Sequence, residues 1–356
     1  MNKTQFQSIP HSRPTLDYGD IQAVTEVIAS GILAPGAISQ KFGEHVAASY
    51  CCHFGMATNS CFSALHLATL ALDMTQDYRI AIPALVCPTV KYPFNMCGAK
   101  IVVVDVDKIS HQISIPEVLR LAEQGAIDGV LVPHRYGHTL DLAPLRDANL
   151  DIIEDFAHAA GAVDEQAAHQ VLQGSIGVFS SYATKMYASG CGGVIITDSN
   201  ILAERIRNAC EYYAPVNDWN IMRYNYKMPD LNAALALSQW SRLSDFVAKR
   251  HAIAQHFLSE IPSYWEAITP EKNRASSWYR FIVRAQNKVI QSKILNEALI
   301  LNVDFGRIDI ALPPEELISR FPVAFGEWNC GLSVPIYPSL SQREQAVILS
   351  ALNSKE

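Results

Sequence analysis

DIIEDFAHAAGA, residues 151–162, begins as a short apolar run, ends that run in Glu154 and Asp155, and passes straight into small residues. Unbroken apolar character, rather than alternation, marks a strand covered by helices on both faces. Working outward, RIAIP (79–83), IVVVD (101–105), GVLVP (129–133), GVFSS (177–181) and GVIITD (193–198) read the same way, while SALHLATLAL (63–72) reads as helix. Strands alternating with helices predict parallel βαβ units and a layered α/β domain. Ligands of such sheets sit at the carboxyl ends of strands, which is where Asp155 stands.

Toward the N-terminus, Ile21, Val24, Val27 and Ile28 recur at helical spacing, with Asp17 at the N-cap position and Ser30-Gly31 closing the segment. Downstream, Pro229 to about Leu258 reads as helix and carries the chain toward a smaller unit, in which Ser341 to Leu352 forms a further helix. The 356 residues suggest about two domains at roughly 150 residues each, placed at 1–240 and 241–356. There is no internal repeat and no low-complexity linker.

Composition narrows the function. The chain is 49% hydrophobic and 18% charged, which excludes disordered, collagen-like and coiled-coil classes. Lys plus Arg is 28 against 35 Asp plus Glu, a net charge of −7, so the phosphate-neutralising charge of a nucleic-acid binder is missing. With no apolar leader and no membrane-length apolar run, the expected compartment is the cytoplasm. Eight cysteines without a C-x-x-C pair are read as reduced thiols, mostly buried. No metal site is expected.

Two segments carry candidate chemistry. Asp155 is either a helix cap or a carboxylate aimed at a ligand. G-x-x-x-x-G-K-[ST] and G-x-G-x-x-G are both absent, which removes the strongest support for nucleotide hydrolysis and for nicotinamide binding. In GVFSSYATKMYASGCGGVIITD (177–198), Lys185 is either solvated surface or an amine able to form a Schiff base. Ser180, Ser181, Thr184 and Gly190-Cys191-Gly192-Gly193 surround it with hydroxyls and accessible amides. An amine, an acid for a pyridinium nitrogen and anion donors are the parts of a pyridoxal-phosphate site.

Further segments complete a pattern: IPHSRPTLDYGDIQAVTEVIASGILAPG (9–36), ATNSCFSALHLATLAL (57–72), IAIPALVCPTVKYPFNMCGAKIVVVDVD (80–107), GVLVPHRYGH (129–138), YNYKMPDLNAALAL (224–237) and LSVPIYPSLS (332–341). Their order and spacing resemble the DegT/StrS-type sugar aminotransferases, a fold-type I pyridoxal-phosphate family, nearly from end to end. The resemblance implies a three-layer α/β large domain with a mostly parallel sheet and a smaller C-terminal α/β domain. It places Lys185 on the lysine that bonds to the cofactor and Asp155 on the acid that pairs with the ring nitrogen. His158 falls beside the ring's phenolic oxygen, against a plain reading as a buried histidine. Ser180 matches a phosphate-contacting serine, and Ser60, Cys61, Phe62 and Ser63 match the phosphate turn. Asn225 matches an asparagine that reaches the phosphate of a neighbouring subunit in a homodimer, against a plain reading as a turn residue; Lys227 reads as surface charge.

Two positions depart from the family pattern. Cys61-Phe62 replaces Gly-Thr in the phosphate turn, and Cys87 stands where an aromatic residue commonly stacks on the ring, so either that stacking is lost or Phe62 or Tyr92 covers that face. Arg307 reads as a surface arginine or a substrate contact. The implied activity is transfer of an amino group from L-glutamate to a keto group of a nucleotide-linked deoxysugar, with pyridoxamine 5'-phosphate as the intermediate cofactor form. A cyclitol or other non-nucleotide ketone is an alternative acceptor, and a non-catalytic or regulatory family member is the alternative class. Sugar dehydratases of the family carry His where this chain has Lys185.

Overall fold

The computed structural model describes residues 8–163, 171–211 and 222–354. Seven strands form the main sheet: β1 (Phe54–Thr58), β2 (Arg79–Pro83), β3 (Lys100–Val104), β4 (Gly129–Pro133), β5 (Asp151–Asp155), β6 (Ile176–Ser180) and β7 (Gly193–Thr197). Their order is β1-β7-β6-β5-β4-β2-β3. The expected α/β layering is present, and β4, β6 and β7 are buried along their whole length. One strand breaks the parallel pattern, because β7 runs antiparallel to both β1 and β6. Only residues 181–192 join β6 to β7, and they contain no helix, so the chain turns back instead of crossing over.

Helix α1 (Tyr18–Ser30) starts at the Asp17 cap, whose carboxylate accepts from the Gly19 and Asp20 amides, and ends at Gly31 in the left-handed region. Its apolar spacing is not a core stripe: Val27 is buried, whereas Ile21 and Ile28 are exposed. Helix α2 (Ala37–Ser49) packs on β1, and α3 (Cys61–Ala71) is buried along most of its length against β7 and β6. The stretch expected as one helix from Pro229 is two, Asp230–Trp240 and Leu243–Glu260, divided at Ser241-Arg242.

A second, antiparallel sheet has the order β10-β9-β8, from β8 (Trp265–Ile268), β9 (Phe281–Ala285) and β10 (Gly331–Val334). Its core joins Phe257, Trp265, Trp278, Phe281 and Leu332 to Ile9, so the N-terminal segment packs with the C-terminal sheet.

A buried charge cluster ties the main sheet to helix Pro322–Cys330. Arg135, just after β4, donates from Nη2 to Glu327 Oε1 at 2.8 Å; Tyr136 Oη donates to the same oxygen at 2.5 Å, and His111 Nδ1 lies 2.9 Å from Oε2. Burial pushes the Glu327 carboxyl up, but Arg135, His111 and Tyr136 outweigh it and hold the pKa at about 2. A folded pKa below the ordinary 4.5 means that this stabilisation is complete above about 4.5 and is lost as pH falls toward 2. In acid titrations of thermal midpoint, Glu327→Gln is expected to lose part of that dependence. At neutral pH it is expected to be less stable by about 3–5 kcal/mol, the cost of leaving Arg135 buried without its partner.

Candidate active site

The carboxyl ends of β2, β4, β5 and β6 open on one cavity of about 640 Å³. Leu85, Val86 and Cys87 follow β2; Arg135 and Tyr136 follow β4; Asp155 closes β5 and is followed by Ala157 and His158. Ser180 closes β6, with Tyr182, Thr184 and Lys185 beyond it, and Cys61 and Phe62 enter from the start of α3. Lys185, Asp155, His158, Ser180, Cys61, Phe62 and Cys87 are therefore brought to a single wall system, although they span more than a hundred residues of sequence.

The alternation of β5 separates its two acids. Glu154 faces away from the cavity, where it lies 2.9 Å from His134 Nε2 and accepts from the Gln173 and Gly174 amides at 2.6 Å each. Asp155 faces the cavity and is 6% exposed, yet the one hydrogen bond to its carboxylate among the described residues comes from the Ala157 amide at 2.8 Å. Burial raises its pKa, opposed by the Ala157 amide and by the charges of Lys185 and His134. A cationic N–H in the cavity would complete the partners of this carboxylate. That unfilled requirement, with an amine and helix-start amides on the same wall, fits a phosphorylated pyridine aldehyde.

His158 stacks on Tyr279, ring centroids 4.3 Å apart. Burial, then Lys185 and Arg280, push its pKa well down, so it is a neutral imidazole at pH 7. Lys185 Nζ lies 5.0 Å from the centre of the same Tyr279 ring. Burial opposes ionisation of the Tyr279 phenol, but Lys185 and Arg280, with Thr184, bring its pKa below the ordinary value. The loop that presents Lys185 is pinned by Ser181 N to Gly192 O at 2.9 Å, Ala183 N to Gly190 O at 3.1 Å, and Asn232 Nδ2 to Ser189 O at 2.8 Å.

At the phosphate turn, Ser60 caps α3 through its Oγ, which accepts from the Ser63 amide at 3.1 Å and lies 2.9 Å from Ser63 Oγ. The Ala64 amide bonds to the Ser60 carbonyl. Ser60 and Ser63 are thus engaged within the turn and off the cavity lining, on which Cys61 and Phe62 stand. Cβ added at Gly193 would come within 2.6 Å of the Cys61 nitrogen and 2.7 Å of the Ser60 carbonyl carbon. Gly193→Ala is expected to displace the start of α3, costing about 1–3 kcal/mol of stability and at least tenfold in pyridoxal-phosphate affinity by fluorescence titration.

A family model for the DegT/DnrJ/EryC1/StrS aminotransferases matches residues 14–353. The chain belongs to that aminotransferase family. It is 29% identical to the spore coat polysaccharide biosynthesis protein SpsC of Bacillus subtilis (strain 168), over 97% of this chain and 96% of that one. Its fold matches the aminotransferase TlmJ of Streptoalloteichus hindustanus with a TM-score of 0.88 at 22% identity, covering 97% and 98% of the two chains. It matches the putative sugar aminotransferase Spr1654 of Streptococcus pneumoniae at 18% identity over 97% of each chain, with a TM-score of 0.88 for the apo form. Spr1654 is also solved in PMP and PLP forms.

Within this aminotransferase, both departures lie at the cavity: Phe62 and Cys87 are on its lining, whereas Tyr92 is exposed and off it. Of the two aromatics expected at that face, only Phe62 reaches the cavity. Cys61 is held protonated, since burial and the nearby Asp155 push its pKa well up. The expectation of mostly buried thiols is corrected: all eight are free, but only Cys52 and Cys210 are buried, and Cys51, Cys87 and Cys191 are exposed. Arg307 is exposed and also stands on the cavity lining. Asn225 is exposed outside the lining, its carbonyl accepting from Asn59 Nδ2 at 3.0 Å, and Lys227 pairs with Glu211 at 2.6 Å. Sequence reasoning missed Tyr279, Arg280 and His11 on the cavity wall. Their signals were weak ones, an aromatic-basic pair opening the strand-like FIVRA and a histidine in an N-terminal coil.

Proposed function

We propose that this chain is a pyridoxal-phosphate-dependent aminotransferase that moves the amino group of L-glutamate to a keto group of a nucleotide-linked deoxysugar. The observation that carries the reading is the placement of Lys185 and the under-partnered Asp155 on one cavity. Pyridoxal phosphate supplies a carbonyl that condenses with amines and a ring that withdraws the electron pair left when a proton leaves the donor's α-carbon. Lys185 would hold the cofactor through Nζ, and the same Nζ, when free, would be the base that takes that proton. Asp155, acidic and buried, would keep a proton on the ring nitrogen. His158, neutral and fixed by its stack on Tyr279, would sit beside the ring oxygen without adding charge.

Ser180 and the Cys61 and Phe62 amides would hold the phosphate, and Asn225 of a second copy would reach it across a homodimer. The sugar acceptor is supported by the relatives, SpsC being a spore coat polysaccharide biosynthesis protein and Spr1654 a putative sugar aminotransferase. Among the described residues no helix is long and apolar enough to cross a membrane, and no His/Cys/Asp/Glu group is placed to hold a metal. The test is a panel of nucleotide-linked keto sugars incubated with the cofactor and 15N-glutamate. A labelled amino sugar supports the proposal; labelled product only from cyclitol or other non-nucleotide ketones overturns the acceptor assignment.

A further inference from the structure

Arg280 is a cation on the cavity wall that has no acidic partner among the described residues. It precedes β9, and its amide is fixed to the Tyr136 carbonyl at 3.2 Å. Its guanidinium donates to Ser12 Oγ at 2.7 Å, Tyr279 Oη at 3.0 Å and His11 Nε2 at 3.3 Å. Burial, reinforced by Arg280 itself, holds the His11 pKa at about 3, so His11 is neutral and its Nε2 accepts. No carboxylate among the described residues lies within salt-bridge distance of Arg280, whereas Arg135 on the same wall is neutralised by Glu327. Three contacts to side-chain acceptors fix the fork of the guanidinium in place without an anionic partner.

Its position relative to Lys185 identifies the anion. Lys185 Nζ and Arg280 Cζ lie 5.0 Å and 4.4 Å from the centre of the same Tyr279 ring, so the two cationic centres are within about 10 Å of each other. A single amino acid bridges that gap, with its amine at the Nζ position and a carboxylate on the guanidinium. We infer that Arg280, held by His11, Ser12 and Tyr279, is the carboxylate anchor of the amino donor. This assignment rests on the aminotransferase reading above and adds to it the residue that selects an amino acid over a simple amine. Anchoring there also fixes the direction in which the α-carbon presents its proton to Lys185.

The test compares wild type with Arg280→Gln in two assays. One is the half-reaction of the cofactor-loaded enzyme with L-glutamate and with L-glutamine; the other is calorimetric titration with succinate, a dicarboxylate without an amine. Arg280→Gln is expected to keep the Lys185-dependent absorbance band, to raise half-saturating L-glutamate by about thirty-fold or more, and to weaken succinate binding in step. Equal loss for L-glutamine assigns the contact to the α-carboxylate, and loss confined to L-glutamate assigns it to the side-chain carboxylate. Unchanged donor saturation and unchanged succinate binding overturn the inference while leaving the aminotransferase reading intact. If wild type itself forms no band, that reading fails, and the succinate titrations still decide whether Arg280 binds carboxylate. Should Arg280→Gln fail to fold, Arg280→Lys keeps the charge without the fork and is expected to weaken succinate several-fold; no weakening overturns the inference.

Discussion

Turnover of Lys185→Ala is expected to fall by at least about four orders of magnitude, because the substitution removes two functions at one atom. The Nζ is both the attachment point for the cofactor and the base for the donor's α-proton, and base catalysis alone contributes about 10²–10⁴-fold. Among the described residues no second lysine lines the cavity: its other basic side chains include the guanidinium groups of Arg280, Arg307 and Arg135, the last held by Glu327. Folding is expected to be nearly unaffected, since the described contacts of the Lys185 side chain amount to its position over Tyr279. A steady-state assay beside a thermal melt separates the two. Turnover within tenfold of wild type would remove Lys185 from the mechanism.

Asp155→Asn is the second large effect, with turnover expected to fall by about 10²–10⁴-fold while cofactor binding survives in part. The substitution preserves shape and the hydrogen bond from the Ala157 amide, but the neutral amide no longer favours a proton on a ring nitrogen. Because Asp155 is 6% exposed, water cannot substitute for the lost charge. The effect should fall on turnover rather than on half-saturating donor, the reverse of what Arg280→Gln is expected to do. Unchanged turnover would return Asp155 to the role of a capping residue.

Much of the fold was legible because its strands are continuous apolar runs, and the carboxyl end of one of them is acidic. Strand β1, FGMAT, escaped notice because it is only partly buried and runs into the motif at 57–72, so its own pattern is weak. The direction of β7 depends on how the loop 181–192 folds back, which composition does not encode. The spacing of Ile21 and Ile28 matches a buried stripe although both face outward, since periodicity fixes a face without fixing what covers it.

The site divides along similar lines. Lys185, Asp155 and Ser180 were readable because each sits next to a strand end, and strand ends are where such sheets put ligands. Tyr279, Arg280 and His11 come from segments far away in sequence and owe their place to packing between the two sheets. Ser60 and Ser63 were readable as parts of a turn, but only the geometry shows their hydroxyls turned to each other and the cavity left to Cys61 and Phe62.

The central claim is that Lys185 carries a pyridoxal phosphate that exchanges amino groups, and absorbance spectra of the purified protein test it most directly. Wild type mixed with pyridoxal phosphate should develop a visible band that Lys185→Ala lacks, and L-glutamate should convert that band to the shorter-wavelength pyridoxamine form with release of 2-oxoglutarate. A wild type with no Lys185-dependent band, or a band that L-glutamate and other amino acids leave unchanged, would contradict the account.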